Sequence, residues 1–173
     1  MDLYASLCAI TGAEYVSREQ EENYIYSRDS GAQPPRRVDG VVLPGSVEEV
    51  QRILVLANRE GIPVTPLGGG FTLSALVVPQ KGGIVMDMKR MDKILEVNEI
   101  SRYALIEAGV SQAALRSHLK KHFPRLQHST PEAPPTVTVT GNVLIQGHGH
   151  LTPRYGLNSD MVNGMEVVLA TGE

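Results

Sequence analysis

One stretch limits what this chain can fold into. Val38 to Leu43 is a short apolar run, and Ser46-Val47-Glu48-Glu49 directly after it has the spacing of a capping box. In such a box the serine hydroxyl takes a free amide of the first helical turn while the glutamate reaches back to the start of the helix. Val47, Val50, Ile53, Leu54 and Ala57 then recur at helical spacing as one apolar stripe, and Gly61 with Pro63 stops the helix. Ile62-Pro63-Val64-Thr65 is a second short strand. The result is a strand-helix-strand crossover that runs straight into Pro66-Leu67-Gly68-Gly69-Gly70-Phe71-Thr72-Leu73-Ser74. Open α/β sheets place ligands at such turns, outside the carboxyl ends of their strands.

The glycine run has two readings. Glycine lacks Cβ and adopts positive φ readily, so Gly68, Gly69 and Gly70 can point several N–H groups into one concavity suited to a diphosphate, with the hydroxyls of Thr72 and Ser74 beside them. Equally, three glycines after a strand form an ordinary flexible turn. Two familiar phosphate loops are excluded: no Gly-Lys-Ser/Thr follows, and there is no Gly-x-Gly-x-x-Gly opening a helix.

The rest of the chain narrows the context. At 173 residues it can bury one core or two small subdomains sharing a cleft. With no Trp and only two Phe, that core is aliphatic. The single Cys8 excludes an intrachain disulfide framework, and a net charge of -3 with mixed signs suggests no face for nucleic acid. Met1-Asp2-Leu3 lacks the basic start of a secretory signal, and no apolar run approaches the roughly 20 residues of a membrane span. A cytoplasmic location is the expectation.

Leu3 to Ile10 has helical spacing and Gly12 as a stop, whereas Glu19 to Asp29 is polar and irregular, with Tyr24 and Tyr26 as its anchors. Gly83 to Met88 predicts a strand. Ile94 to Val97 and Tyr103 to Ala108 predict a hairpin pair joined through Asn98 to Arg102. Ser111 is placed to cap a helix with Ala114, Leu115, His118 and Leu119 buried and Lys120 and Lys121 near its end. A proline-rich turn, Pro131 to Pro135, leads into Thr136-Val137-Thr138-Val139-Thr140 and Gly141-Asn142. Met165 to Leu169 predicts a last strand, followed by the turn Thr171-Gly172-Glu173.

These motifs, in this order, resemble a known family. Pro44, Ser46 to Val50, Ala57-Asn58, Gly61 to Val64, Pro66 to Gly70, Gly82 to Val85 and Glu107 to Val110 look like the amino-terminal FAD-binding (PCMH-type) domain of the vanillyl-alcohol oxidase and para-cresol methylhydroxylase superfamily. Tyr26 to Ser30 is similar to the opening segment of its glycolate and D-lactate dehydrogenase branch. Gly141 to Leu144, Gly147-His148-Gly149, Thr152 to Gly156 and Gly164 to Leu169 resemble the alkylphenol oxidase branch.

The resemblance implies an α+β fold in two FAD-binding subdomains. Residues 1–98 would form a small parallel sheet with helices, and residues 99–173 a mostly antiparallel part. The domain would be incomplete at its carboxyl end, because the family continues into further strands and a cap domain that supplies most substrate-binding and catalytic groups. It implies FAD as cofactor, with Pro66, Leu67, Gly68, Gly69, Gly70, Phe71, Thr72 and Ser74 at the diphosphate, and Pro131, Thr140, Gly141, Asn142, Gly147, Gly149 and Tyr155 alongside the rest of the cofactor. Some relatives attach FAD covalently to a histidine just after the loop glycines. Phe71 stands there in this chain, so attachment at that position is excluded.

The implied activity is that of a flavin-dependent oxidoreductase acting on a small hydroxy substrate, either a 2-hydroxy acid or a para-substituted phenol. A different class remains open beside it: a non-catalytic flavin-binding or interaction subunit that needs a second chain carrying the cap domain. No catalytic residue is assigned. His148 and His150 lack a third ligand at a recognisable spacing, and His118 and His122 lack the intervening Glu of a His-Glu-x-x-His pair, so no metal site is expected. Arg154, beside Tyr155, faces either an anionic group or a surface carboxylate.

Overall fold

The computed structural model describes residues 2–173 and divides into two compact units. The first comprises the chain up to Arg90 together with Glu166–Glu173; the second is Met91–Met165.

In the first unit, helix α1 (Leu3–Thr11) is capped by the Asp2 carboxylate, which accepts from the Tyr4 amide, and ends at Gly12 with φ +97°. Strand β1 (Val16–Ser17) and helix α2 (Gln20–Tyr26) follow, then β2 (Gly40–Val42), helix α3 (Val47–Glu60), β3 (Val64–Leu67) and β4 (Ile84–Asp87). The sheet order is β1-β2-β4-β3. β4 lies between β2 and β3, parallel to both, with Val41 and Thr65 each opposite Val85; β1 is antiparallel to β2. β4 is buried along its whole length, as its uninterrupted Ile-Val-Met-Asp run suits. Pro66, which cannot donate to a ladder, sits on the edge strand β3.

The α3 crossover forms as its sequence predicts, with Ser46 Oγ accepting from the Glu49 amide at 3.2 Å and Gly61 closing the helix at φ +64°. Its buried stripe is Val50, Ile53, Leu56 and Ala57, so Leu56 takes the place expected of Leu54. The reciprocal half of the capping box differs. Glu49 Oε2 accepts from the Gly45 amide at 2.7 Å instead of from Ser46, and it also meets Arg90 at 3.5 Å.

Two further expectations for this unit are corrected. The polar Glu19 to Asp29 segment is not irregular: α2 occupies its middle with Glu21 and Glu22 in the first turn, where acidic groups complement the helix dipole. Met165 to Leu169 forms no strand, because no other strand among the described residues pairs with it. Its turn is instead tied to α3, where Gln51 Nε2 donates to Gly172 O (2.9 Å) and Asn58 Nδ2 to Ala170 O (3.2 Å).

The second unit starts eight residues earlier than expected, since Asn98 is the end of a hairpin strand and cannot separate from its partner. Strand β5 (Ile94–Asn98) pairs antiparallel with β6 (Tyr103–Ile106), Asn98 opposite Tyr103. Helix α4 (Gln112–His122) is capped by Ser111. Val110, Leu115 and Leu119 form the core, packed by Ile94, Val97, Ile106, Phe123, Leu126 and Val139. Gln112 is buried and Ala114 exposed, the reverse of a simple apolar stripe. Two short helices, α5 (Val139–Leu144) and α6 (Thr152–Tyr155), complete this unit.

Candidate functional site

Leu67 is the last residue of β3 and lies opposite Asp87, the last residue of β4, so the glycine run starts at the carboxyl ends of two parallel strands. Among the loop glycines only Gly70 takes a positive φ, +73°. A Cβ built on it would meet nothing closer than Leu67 Cδ1 at 3.9 Å, so its surroundings are open and its backbone angle alone calls for glycine. Pro66, Phe71 and Ser74 are exposed, Leu67 is buried, and Gly68, Gly69, Gly70 and Thr72 are half-buried.

The loop is held from one side by Asp29, a residue to which no role attaches in the sequence reading. Asp29 Oδ2 accepts from Thr72 Oγ1 at 2.6 Å and from the Ala75 amide at 2.8 Å, while Oδ1 accepts from the Gly31 amide at 2.8 Å. The Ser30 amide adds a bond to Thr72 O at 3.1 Å. Burial acts to raise the Asp29 pKa, but the Thr72 hydroxyl and the amides of Gly31 and Ala75 outweigh it and hold the carboxyl below its ordinary value. The single hydroxyl proton of Thr72 is therefore spent on Asp29, so from Thr72 only the backbone N–H is left to donate to an anion. Ala75, at φ +56°, is placed in the left-handed region with its amide on the same carboxylate. The signal in the sequence is Asp29-Ser30-Gly31, an Asp whose side chain bonds the amide two residues on.

A second network supports the end of β4. The buried Asp87 carboxylate accepts from Tyr26 Oη at 2.8 Å, from Lys89 Nζ at 2.9 Å and from the Lys89 amide at 3.0 Å. Lys89 Nζ also lies 3.0 Å from Tyr26 Oη. Burial lowers the Lys89 pKa, yet its bonds to Tyr26 and Asp87 outweigh that and hold the ammonium above its usual value; burial raises Tyr26, with Lys89 opposing and Asp87 adding. Asp87 is thus structural, anchoring α2 to the strand that flanks the loop.

In the second unit, Thr140, Gly141 and Asn142 form the first turns of α5. Thr138 Oγ1 caps it by accepting from the Gly141 amide at 3.2 Å, and a Cβ on Gly141 would come within 2.7 Å of that oxygen. Asn142 is buried, with its Oδ1 accepting from Asn158 Nδ2, and its carbonyl takes the Gly147 amide at 2.8 Å. Any side chain at Gly147 would strike Asn142, and any at Gly149 would strike Ser129. These two glycines therefore permit close packing, at φ values that do not themselves demand glycine. Pro131 is half-buried and Tyr155 exposed. Arg154 stacks on Tyr155 at 5.2 Å and makes no salt bridge among the described residues. His118 and His122 lie 4.8 Å apart, centroid to centroid, beside Phe123, and no group of three potential metal ligands occurs among the described residues.

The site as built fits an anionic dinucleotide. A glycine loop open to solvent stands at the strand ends, and the two carboxylates near it, Asp29 and Asp87, are each taken up by three internal donors.

The chain is similar to known proteins in sequence and fold. Residues 38–173 match the family described as FAD binding domain. Glycolate oxidase subunit GlcD of Bacillus subtilis (strain 168) is 30% identical over 173 residues, covering 99% of this chain and 36% of that protein. D-2-hydroxyglutarate dehydrogenase of Xanthomonas citri pv. viticola is 31% identical over 134 residues, 77% of this chain and 28% of its own length. Among solved structures, 4-ethylphenol oxidase from Gulosibacter chungangensis superposes with a TM-score of 0.83 at 28% identity, covering 98% of this chain and 33% of that one. The p-cresol methylhydroxylase structure gives 0.84 at 27%, with the same coverage. The chain spans about a third of the length of these proteins. A glycine loop at the ends of parallel strands, the α+β layout and a family match over residues 38–173 lead to one conclusion: the chain belongs to the FAD-binding domain family of the vanillyl-alcohol oxidase and para-cresol methylhydroxylase superfamily, and FAD is its cofactor.

Proposed function

We propose that this chain is the flavin-holding part of an oxidoreductase that acts on a small hydroxy substrate, a 2-hydroxy acid or a para-substituted phenol. The observation that carries the reading is the family match over residues 38–173 together with the glycine loop held by Asp29 at the ends of β3 and β4. Backbone amides of Gly68 to Thr72 hold the diphosphate, which needs no lysine when several oriented amides face it. The flavin, once bound, supplies the ring that accepts a hydride equivalent from the substrate. The residues of this chain position it: Thr140, Gly141, Asn142, Gly147 and Gly149 let the backbone approach, while Pro131 and Tyr155 border it. With Phe71 after the glycines, the cofactor is held there without a covalent bond.

The substrate class is supported by relatives whose names specify glycolate oxidase, D-2-hydroxyglutarate dehydrogenase and 4-ethylphenol oxidase. Because the chain spans about a third of those proteins, turnover is assigned to this portion acting with substrate-binding residues of a cap domain, carried in the same protein or by a second chain. A single free cysteine and the absence, among the described residues, of any helix long and apolar enough to cross a membrane are in keeping with a cytoplasmic setting.

The test is a visible absorption spectrum of the purified protein before and after acid precipitation, with FAD titration if it emerges colourless. Flavin bands released into the supernatant support noncovalent FAD. A flavin that stays with the precipitate overturns the noncovalent assignment, and no saturable binding overturns the assignment of the loops.

A further inference from the structure

The second unit holds a cavity that the flavin assignment leaves unused. Its volume is about 480 Å³, and its walls include Arg116, Lys120, Leu119, Leu126, His128 and His150. Small-molecule sites occupy this size range, with apolar walls and a few polar groups that fix orientation.

The charge around it is one-sided. From Ala108 to Pro131 the chain has no carboxylate, yet it carries Arg116, Lys120, Lys121 and Arg125 in a protein whose net charge is -3. Arg116 and Lys120 lie one turn apart on α4, both reach the cavity, and neither forms a salt bridge among the described residues. Two cations one turn apart give the mouth of the cavity a positive potential that an anion would complement.

The other walls limit what kind of anion. Leu119 is buried, and it lies with Leu126 at the edge of the unit's aliphatic core. His128 Nε2 lies 2.8 Å from the oxygen of the buried Gln112 amide, and burial, followed by the charges of His150 and Arg116, pushes its pKa down to about 4. The ring is neutral at pH 7 and gives the cavity a polar wall without further charge. His150 Nδ1 lies 3.2 Å from the Thr130 amide and 3.0 Å from Thr130 Oγ1, contacts that hold the ring at the cavity wall. A bare phosphate would meet the cations and leave the apolar wall wet.

We propose that this cavity binds a small organic carboxylate with an apolar body, its carboxylate held by Arg116 and Lys120 and its body laid against Leu119 and Leu126. A guanidinium matches a carboxylate in bidentate fashion, and a lysine one turn on adds a second charge.

The experiment titrates the purified chain with benzoate, following the histidine ring C–H signals by NMR and the heat by calorimetry, with and without saturating FAD. Expected are saturable binding that moves His128 and His150, the same affinity with or without FAD, and at least about tenfold weaker binding of benzamide, the uncharged isostere. The R116Q/K120Q variant, changed at two exposed helical positions, should lose at least about tenfold for benzoate. Inorganic phosphate binding as tightly as benzoate overturns the apolar half of the proposal. Equal binding of benzamide, or no saturable binding of benzoate, overturns the whole. Competition between benzoate and FAD places the ligand in the flavin site instead, and so overturns the cavity assignment while leaving the flavin reading intact.

Discussion

Asp29 organises the glycine loop through three donors, and replacing it by Asn keeps the shape while removing the charge and one acceptor. D29N should lower the melting temperature by a few degrees, from a loss of about 1 kcal/mol at this half-buried site, and weaken FAD binding. The sign of its pH dependence follows from a depressed folded pKa. The contribution is complete above the unfolded value of about 4 and is lost as pH falls through the lower folded value. The gap in melting temperature between wild type and D29N should therefore narrow below about pH 4, as melting curves across pH would reveal. Gly69→Val is expected to abolish flavin retention while the helical circular dichroism persists; a variant retaining its full yellow colour contradicts the loop's role. Gly70 and the phosphate-loop exclusions were legible in the sequence because they depend on local chemistry. Asp29 was not, because its partner Thr72 is 43 residues away and nothing in either segment announces the other.

At the scale of elements, α3 is the best-specified piece, since cap, stripe and stop signals all agree. Ser46→Ala should cost about 1 kcal/mol, seen as a drop of a few degrees in thermal melting. The cost should stay at the level of a single cap, since the glutamate of the box serves Gly45 and Arg90 independently of the serine. β2, β3, β4 and the β5–β6 hairpin were likewise readable from short apolar runs bounded by Gly, Pro or Asn. Three helices escaped, among them the four-residue α6, which is too short to show any periodicity. α2 buries no residue and leaves Tyr24 and Ile25 exposed, so it shows no apolar stripe to read. α5 is six residues long and starts inside Thr-Val-Thr-Val-Thr, whose β-branched residues favour extended backbone until the Thr138 cap starts the turn.

For the whole molecule, the α+β class and a division into a parallel part and an antiparallel part were legible, while the boundary was not. A hairpin is a cooperative unit, so the break fell before Ile94 and not after Asn98. The last strand depended on a partner that sequence periodicity cannot supply. Met165, Val167 and Leu169 are exposed, and no strand among the described residues pairs with their segment, which leaves it able to pair between copies. Val167→Lys should reduce concentration-dependent association of the purified chain in sedimentation velocity; unchanged association places the self-contact elsewhere.

The bonds from Gln51 and Asn58 to Gly172 and Ala170 set a timetable for biogenesis. The first unit is discontinuous, so the residues that dock on α3 leave the ribosome only after all of Met91–Met165 has been made. At about 5–20 residues per second, α3 waits several seconds with that surface uncovered. The intervening segment is continuous, so it can fold before those last residues arrive. The first unit is therefore completed last at this one face, and holdase chaperones have their longest opportunity where Gly172 finally covers α3.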